Sequence, residues 1–161
     1  MEQPKQLEIT EYQLEEVRIE RNPEYSSASL ELGRVGVSVD WNVFTNKDEV
    51  NRFAVGLIIK TCDPTAPGAS CPLKIVVRMV GFFTVSEPLS DGKVPFQITV
   101  NGLTILYGIA RGLVGTAAAW FGGNTVVLPT QYFSERLRAK ELANTRTEQK
   151  ALEVPTIAIA D

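Results

Sequence analysis

The run that follows Asn101 constrains the fold of this chain more than any other segment. It is apolar and rich in small residues, it carries a single charge at Arg111, and the pair Gly122-Gly123 follows it. Asparagine suits the start of a helix and paired glycines stop one, so the spacing predicts a helix between these points. The apolar residues of this helix recur at helical spacing, at Leu106, Ile109, Leu113 and Ala117.

Two further stripes of the predicted helix differ from the apolar one. One stripe is polar and contains Thr104, Tyr107 and Arg111. The other stripe consists of small residues, most of them glycine: Gly108, Gly112, Gly115 and Ala119. Each glycine in a helix costs about 1 kcal/mol of stability relative to alanine, so a close packing partner is expected to offset that cost.

Lipid, the rest of the same domain, or a second copy of the chain could each cover such a helix. An arginine near the centre of a run that is barely long enough argues against a membrane span. A small domain usually leaves one face of its helix uncovered, which favours a second copy, with an intradomain core helix as the alternative. The predicted oligomer interface comprises Tyr107, Gly108, Arg111, Gly112, Gly115 and Ala119.

The segments before this helix alternate between apolar and polar residues, which is typical of strands. Residues 7–20 change parity twice, a pattern that indicates a strand with bulges or a break. Residues 28–44 alternate with one slip at Gly33-Arg34, and two later runs each place their apolar residues on one face. The first of these faces carries Phe53, Val55, Leu57 and Ile59, and the second carries Leu73, Ile75, Val77, Met79, Phe83 and Val85.

Four such strands joined by short loops predict an antiparallel sheet. The residues between Cys62 and Cys71 are rich in turn formers and predict a hairpin. Its ends would be close enough for a disulfide, and two reduced thiols are the alternative.

The remaining segments predict connections and a second helix. Residues 86–100 contain two prolines and a glycine, which indicates a long crossover loop with a short extended piece at Phe96–Val100. A turn at Pro129 then leads into an amphipathic helix with Tyr132, Phe133 and Leu137 on one side. We expect one domain over residues 1–145 and a C-terminal tail over residues 146–161.

The composition argues against several classes of function. The chain has no histidine, which removes the commonest general base and metal ligand, and its two cysteines cannot form a four-ligand zinc site alone. It carries no phosphate-binding loop and no nucleophile motif. A net charge of −3 disfavours nucleic acid as a partner. We therefore expect no enzyme, no cofactor and no metal, and the polar N-terminal segment predicts a cytoplasmic location.

The order of motifs resembles that of the SecB family of export chaperones and its SecB-like relatives. The strand end "GFFT" at residues 81–84 matches an aromatic-rich "GIFS" in that family. The helix motif "ILYGIAR" at residues 105–111 matches "ILFPYAR", and "LPTQYF" at residues 128–133 matches "LPPVNF". The resemblance covers roughly residues 7–145.

The resemblance implies an α+β fold: a four-stranded antiparallel sheet with a long helix and a shorter C-terminal helix packed on one face. It also implies a homotetramer with the long helix at its inner interface, and an ATP-independent holdase that binds unfolded or nascent polypeptides in apolar grooves. The candidate polypeptide-binding residues are the apolar side chains that this chain could offer to such grooves: Trp41, Val43, Phe82, Phe83, Val85, Phe96, Ile98, Tyr132, Phe133 and Leu137.

The resemblance leaves two interpretations of the function open. In the first, the chaperone serves protein export and docks to a SecA-type translocase motor, for which Glu8, Glu11, Glu15 and Glu20 would supply an acidic strand face. In the second, the chain is a SecB-like oligomeric adaptor or a toxin–antitoxin-associated chaperone that binds one specific protein partner. Neither interpretation includes a membrane span.

Overall fold

The computed structural model describes residues 7–23, 36–46, 48–61, 73–86, 89, 94–120 and 128–140, and these carry an α+β fold. The predicted fold class is confirmed. The sheet consists of β1 (Leu7–Arg21), β2 (Val37–Thr45), β3 (Arg52–Thr61) and β4 (Leu73–Val85). The long helix α1 spans Phe96–Trp120, and residues 133–140 are helical as well.

The four strands pair antiparallel in the order β1-β4-β3-β2. The second, third and fourth strands form a meander, and β1 returns to lie beside β4, which is the arrangement of a Greek key. Two strands therefore lie at the edges of the sheet: β1, with 15 residues, and the shorter β2, with 9.

The two parity changes in β1 are two shifts of register against β4, as the sequence predicted. One shift lies between Ile9 and Glu11 and the other between Leu14 and Glu16. At the first, the Thr10 hydroxyl donates a hydrogen bond to the carbonyl of Phe82 at 3.1 Å. Each shift absorbs one extra residue, so the next apolar pair stays on the side of the sheet that faces the core. That side of β1 carries Leu7, Ile9, Tyr12, Leu14, Val17 and Ile19.

The buried face of the central strands is the one that the alternation predicts. Every apolar residue assigned to that face of β3 and β4 is buried in the structure. Phe53 and Phe83, which are cross-strand partners, stack with ring centroids 5.2 Å apart. The buried hydroxyl of Thr61 donates to the carbonyl of Leu73 at 2.8 Å and accepts from the amide of Ile75 at 2.9 Å. This hydroxyl therefore joins β3 to β4 at the end of their pairing.

Helix α1 begins earlier than the sequence predicts. Phe96–Val100, expected as an extended piece of a loop, forms the first turn, and the amide of Thr99 donates to the carbonyl of Pro95 at 3.0 Å. Proline is favoured just before or inside the first turn because its missing N–H has no partner there. Asn101 therefore lies inside the helix and is not its cap.

Glycines bring α1 close to the sheet at two points. A Cβ placed on Gly81 of β4 would lie 2.6 Å from Leu106 Cδ2, so the leucine side chain occupies the space above this glycine. Gly102 of the helix lies over Phe83 and Val55, and a Cβ on this glycine would lie 3.5 Å from the first and 3.6 Å from the second. These contacts fix which side of α1 faces the sheet.

The chain forms two compact units, Met1–Gln131 and Tyr132–Asp161. The first contains the sheet and α1, and the second contains the helical residues 133–140, with Phe133 and Leu137 buried. The predicted bulge at Gly33-Arg34, the cysteine pair, the stop at Gly122-Gly123 and the boundary at residue 145 lie outside the described residues.

Candidate functional site

The side of the sheet that carries α1 is only partly covered by it. The helix packs over β1, β3 and β4. Four strands spaced about 4.8 Å apart are wider than one helix of about 10 Å diameter, so a single helix cannot cover both edges. One row of paired residues across the four strands shows this: it runs through Tyr12, Gly81, Val55 and Val43. Val55, in the middle of the sheet, is inaccessible to solvent, whereas Tyr12 and Val43, at the two edges, are exposed.

The exposed edge on β1 is an apolar row formed by Tyr12, Leu14 and Val17, which we call the β1 row. Their side chains are 50%, 45% and 41% exposed although they share the core-facing side of the sheet. An apolar row on an edge strand is a surface that another polypeptide can cover. The strand periodicity could have revealed it, but these residues were not among the predicted binding residues.

The outward side of α1 is a second uncovered surface, which we call the helix free face. Its exposed residues are polar in the first half of the helix and mostly small in the second half, which ends at Trp120, 82% exposed. A Cβ added to Gly108, Gly112 or Gly115 would meet no atom within 4 Å, so the described chain itself does not require glycine there. The exposed residues of this face are Gln97, Asn101, Thr104, Gly108, Gly112, Thr116, Ala119 and Trp120.

The predicted interface residues divide between the two sides of α1. Gly108, Gly112 and Ala119 are exposed on the helix free face, and Gly115 and Arg111 flank it, half-buried. Tyr107 is on the other side: it is buried, and its hydroxyl donates a hydrogen bond of 2.7 Å to the carbonyl of Pro129. The sequence groups Tyr107 with polar residues, but its ring is buried and only its hydroxyl needs a polar partner.

The apolar stripe of α1 was also displaced in the prediction. Leu106 is buried as expected, but Ile109, Leu113 and Ala117 are half-buried at the margin of the packed side. The packed side itself comprises Ile98, Thr99, Gly102, Leu103, Leu106, Tyr107, Ala110, Val114 and Ala118. The helix is long enough and apolar enough to cross a membrane by length and composition alone, with a mean hydropathy of 1.3 over an 18-residue window. One side of this helix packs against the sheet, and 39% of that window is buried.

The predicted polypeptide-binding residues do not form one surface. Val43 is exposed on the α1 side of β2, next to the buried Trp41, and Tyr132 is exposed in the second unit. Phe82 is half-buried on the opposite side of the sheet, and Phe96 is half-buried in the first turn of α1. The other five are buried: Phe83, Val85 and Ile98 in the first unit, and Phe133 and Leu137 in the second.

The side of the sheet opposite α1 contains a depression of about 480 Å³. Its lining includes Ala54 of β3, with an aromatic residue on the strand at either side: Phe44 on β2 and Phe82 on β4. The register places Glu11, Phe82, Ala54 and Phe44 in one row across all four strands. Phe44 is 55% exposed. The depression exists because small residues lie between two large ones.

Ionisable side chains border this depression. Arg52 pairs with Glu49 at 2.9 Å, while the carboxylate of Glu11 accepts a hydrogen bond from the neutral amide of Gln13 at 3.2 Å. Among the described residues that line the depression, the charged side chains are Glu11, Glu49 and Arg52. Among the residues that the structure describes, no three His, Cys, Asp or Glu side chains lie together as a metal site would require.

Comparison with known proteins identifies the fold but no sequence family. No family model and no curated protein matches the sequence. The Mycobacterium tuberculosis Rv1957 SecB-like chaperone, solved in complex with a ChAD peptide from the Rv1956 HigA1 antitoxin, superposes with a TM-score of 0.50. The superposition covers 78% of this chain and 88% of that one at 9% identity. The fold is SecB-like.

A second solved structure is similar to this chain. A protein of unknown function from Streptococcus agalactiae superposes with a TM-score of 0.53 at 7% identity. The superposition covers 80% of this chain and all of that one. At such identities the similarity establishes the architecture, and residue roles have to be argued from this chain's own surfaces.

Proposed function

We propose that this chain is a subunit of an oligomeric, ATP-independent chaperone of the holdase type, which binds unfolded or nascent polypeptides along the apolar edges of its sheet. The observation that carries the proposal is the β1 row: three apolar side chains on the core-facing side of an edge strand that remain 41–50% exposed beside α1. An enzyme would need a cluster of reactive groups, whereas a holdase needs open apolar surface.

The edges of the sheet supply the client-binding surface in this proposal. Tyr12, Leu14 and Val17 form one edge, and Val43 beside Trp41 forms the other. The two edges lie on opposite sides of α1. An extended polypeptide that lies along one side of the helix would therefore contact one apolar edge strand. Contacts of this kind depend on burial of apolar area and tolerate many sequences, which suits clients without a common motif.

The helix free face supplies the contact between copies. Gly108, Gly112, Gly115 and Ala119 allow a second helix to approach closely, as small residues do in other helix pairs. A tetramer with α1 at its inner interface, as the resemblance implies, would cover this face and leave the sheet edges open. The glycines would then be required by the assembly and not by the single chain.

The proposal predicts a measurable holdase activity. Light scattering should show an oligomer that takes up a reduced, unfolded model protein, and the same protein should suppress aggregation of that client without nucleotide. The double variant Leu14→Ser, Val17→Thr should weaken client uptake while the oligomer persists. Threonine keeps the strand preference of valine, so the loss would reflect apolar contact.

A matched control lies on the same strand. Gln13 is exposed and lies on the opposite side of β1, so Gln13→Thr should leave uptake unchanged. Equal activity of the double variant and the wild type would contradict the assignment of the β1 row, and a monomer that ignores unfolded chains would contradict the proposal as a whole.

A second candidate function is a SecB-like adaptor or toxin–antitoxin chaperone that binds one specific partner. The observation that favours it is that the similar Rv1957 chaperone was solved with a peptide from an antitoxin. Competition between two unrelated unfolded clients separates the two functions. A holdase binds both, and a dedicated adaptor rejects at least one.

Protein export through a SecA-type motor and a cytoplasmic location extend the first candidate. Three of the four acidic residues proposed for motor docking lie on one side of the sheet, and the fourth does not belong to the regular alternation. Glu8, Glu11 and Glu20 are exposed and face away from α1, whereas Glu15 is the extra residue at the second register shift. Co-purification of a translocase motor, lost on charge reversal at Glu8 and Glu20, would support the export role.

A further inference from the structure

We propose that four cationic side chains on the side of the sheet opposite α1 bind a short chain of linked phosphate groups, as in an inorganic polyphosphate or a nucleoside polyphosphate. These side chains, which we call the basic cluster, are Arg18 on β1, Lys60 on β3, and Lys74 and Arg78 on β4. The inference does not rest on the chaperone proposal.

Strand register places the basic cluster around a single residue, Val76 of β4, which is half-buried. Arg18 and Lys60 are the cross-strand partners of Val76 on its two sides, so their backbones lie about 4.8 Å from it. Lys74 and Arg78 precede and follow it by two positions on the same strand, which puts each about 7 Å away on the same side of the sheet. The four cations therefore surround one point of this side.

A shared carboxylate holds the two arginines of the cluster in position. Glu16 accepts from Arg18 through one oxygen and from Arg78 through the other, each at 3.0 Å. The Glu16 side chain is 29% exposed, whereas those of Arg18 and Arg78 are 62% and 47% exposed, so both guanidiniums remain open to solvent. A guanidinium carries five N–H donors in a planar fork that matches phosphate oxygens, and one carboxylate oxygen does not satisfy them all.

The two lysines of the cluster have no counterion among the described residues. No described carboxylate lies within ion-pair distance of Lys60 or Lys74. Glu20, the cross-strand partner of Lys74, and Asp40 on β2 are exposed on the same side of the sheet. Neither forms an ion pair with a described residue, so the positive charge around Val76 is only partly neutralised.

Size and charge favour a short phosphate chain over a single phosphate or a long polyanion. Lys74 and Arg78 lie about 14 Å apart along β4, so several linked phosphates can contact more of the cluster than one phosphate can. The net charge of −3 opposes the binding of a long polyanion such as nucleic acid. A short chain responds mainly to charges within roughly 10 Å at 0.1 M ionic strength.

Isothermal titration calorimetry with the full chain tests the site, and inorganic tripolyphosphate is the probe. We expect saturable binding at low salt that is lost at about 1 M salt, where the screening length falls to roughly 3 Å. Orthophosphate should bind at least about tenfold more weakly, because it contacts fewer of the cations. ATP separates the two sources of this chemistry. Similar affinity shows that the phosphate chain alone is recognised, and much tighter binding of ATP assigns the site to a nucleotide.

Two variants and a matched control locate the binding on the protein. Lys60→Gln should weaken tripolyphosphate binding about two- to fivefold, as expected for an exposed ion pair. The double variant Lys60→Gln, Lys74→Gln should weaken it about four- to twenty-five-fold. Arg52→Gln removes the same charge as Lys60→Gln from the same side of β3, about 27 Å along the strand, and should leave the affinity unchanged.

The controls decide between a site and an effect of net charge. Failure of the wild type to bind tripolyphosphate at low salt, or full affinity in the double variant, would overturn the inference. Equal weakening by Lys60→Gln and Arg52→Gln would also overturn it, because binding would then follow net charge alone. Lys74 and Arg52 are exposed and Lys60 is half-buried, so the variants are expected to fold, and thermal unfolding without ligand checks this. None of these results would alter the outcome of the aggregation assay.

Discussion

Replacing Gly108, Gly112 and Gly115 of α1 by alanine tests separately how these glycines affect the stability of the single chain and its association with other copies. Alanine is favoured over glycine by about 0.8–1.0 kcal/mol per helical position. No atom of the described chain lies within 4 Å of the new methyl groups at residues 108, 112 and 115, so no clash reduces this gain. The triple variant should therefore stabilise an isolated chain by about 2–3 kcal/mol. For a chain of this size that corresponds to a rise of about 5–10 °C in Tm.

The proposed assembly predicts a second effect of the same substitutions. Three methyl groups on a face that packs closely against another helix would separate the two backbones and weaken association. Light scattering over a dilution series measures the mass, and thermal unfolding at the lowest concentration measures the stability of the dissociated chain. We expect the variant to be smaller in mass than the wild type and more stable once dissociated.

Thr116→Ala is the matched control for this experiment. Thr116 is exposed on the same face, and its replacement improves helix propensity without adding volume. The control should gain stability and keep its mass. A triple variant that keeps the mass of the wild type while gaining stability would refute the reasoning, because it would show that no helix packs closely on this face.

Further predictions concern the interior of the first unit. Gly81→Ala should lower the free energy of unfolding by about 1–3 kcal/mol, because the new methyl group would overlap the side chain of Leu106. Gly56→Ala should not lower it, because its new methyl group would lie at ordinary contact distances. Denaturant unfolding compares the two variants. Thr61→Val should cost about 1–3 kcal/mol, since it leaves a buried backbone amide and carbonyl without their hydroxyl partner. Tyr107→Phe should cost about 0.5–1.5 kcal/mol, and an unchanged Tm would show that the 2.7 Å hydrogen bond contributes nothing.

The strands could be predicted well because each has one buried side. On β3 and β4 the period of two in the apolar residues reports directly which side chains face the core. On β1 the parity changes already implied two extra residues, and the structure places them at the two register shifts. These features depend on local sequence alone.

The start and orientation of α1 could not be inferred in the same way. The five residues Phe96–Val100 fit a period of two as well as a helical turn, so the pattern does not decide between them. The helix is apolar or small on most of its circumference, and the contacts of Gly102 and Leu106 with the sheet select the packed side. For the same reason the sequence groups the buried Tyr107 with the polar residues of the helix.

The depression opposite α1 is an example of a site that no single segment encodes. It requires Phe44, Ala54 and Phe82 to meet in one row, and this depends on the pairing of three strands. The sequence identified Phe82 as a candidate for binding but gave no sign of its partners. Register across a sheet is a tertiary property, which explains why the neighbouring aromatic Phe44 was missed.

The two register shifts of β1 make the effect of a deletion depend on its position in the strand. Loss of an extra residue, Thr10 or Glu15, would remove one shift and keep the flanking apolar side chains on the core-facing side, because the remaining residues alternate regularly. Loss of a residue between the shifts, such as Gln13, would make Tyr12 and Leu14 adjacent and turn one of them to the opposite side of the sheet. The strand is therefore expected to tolerate a shorter sequence at its two shifts more readily than in the regular segment between them.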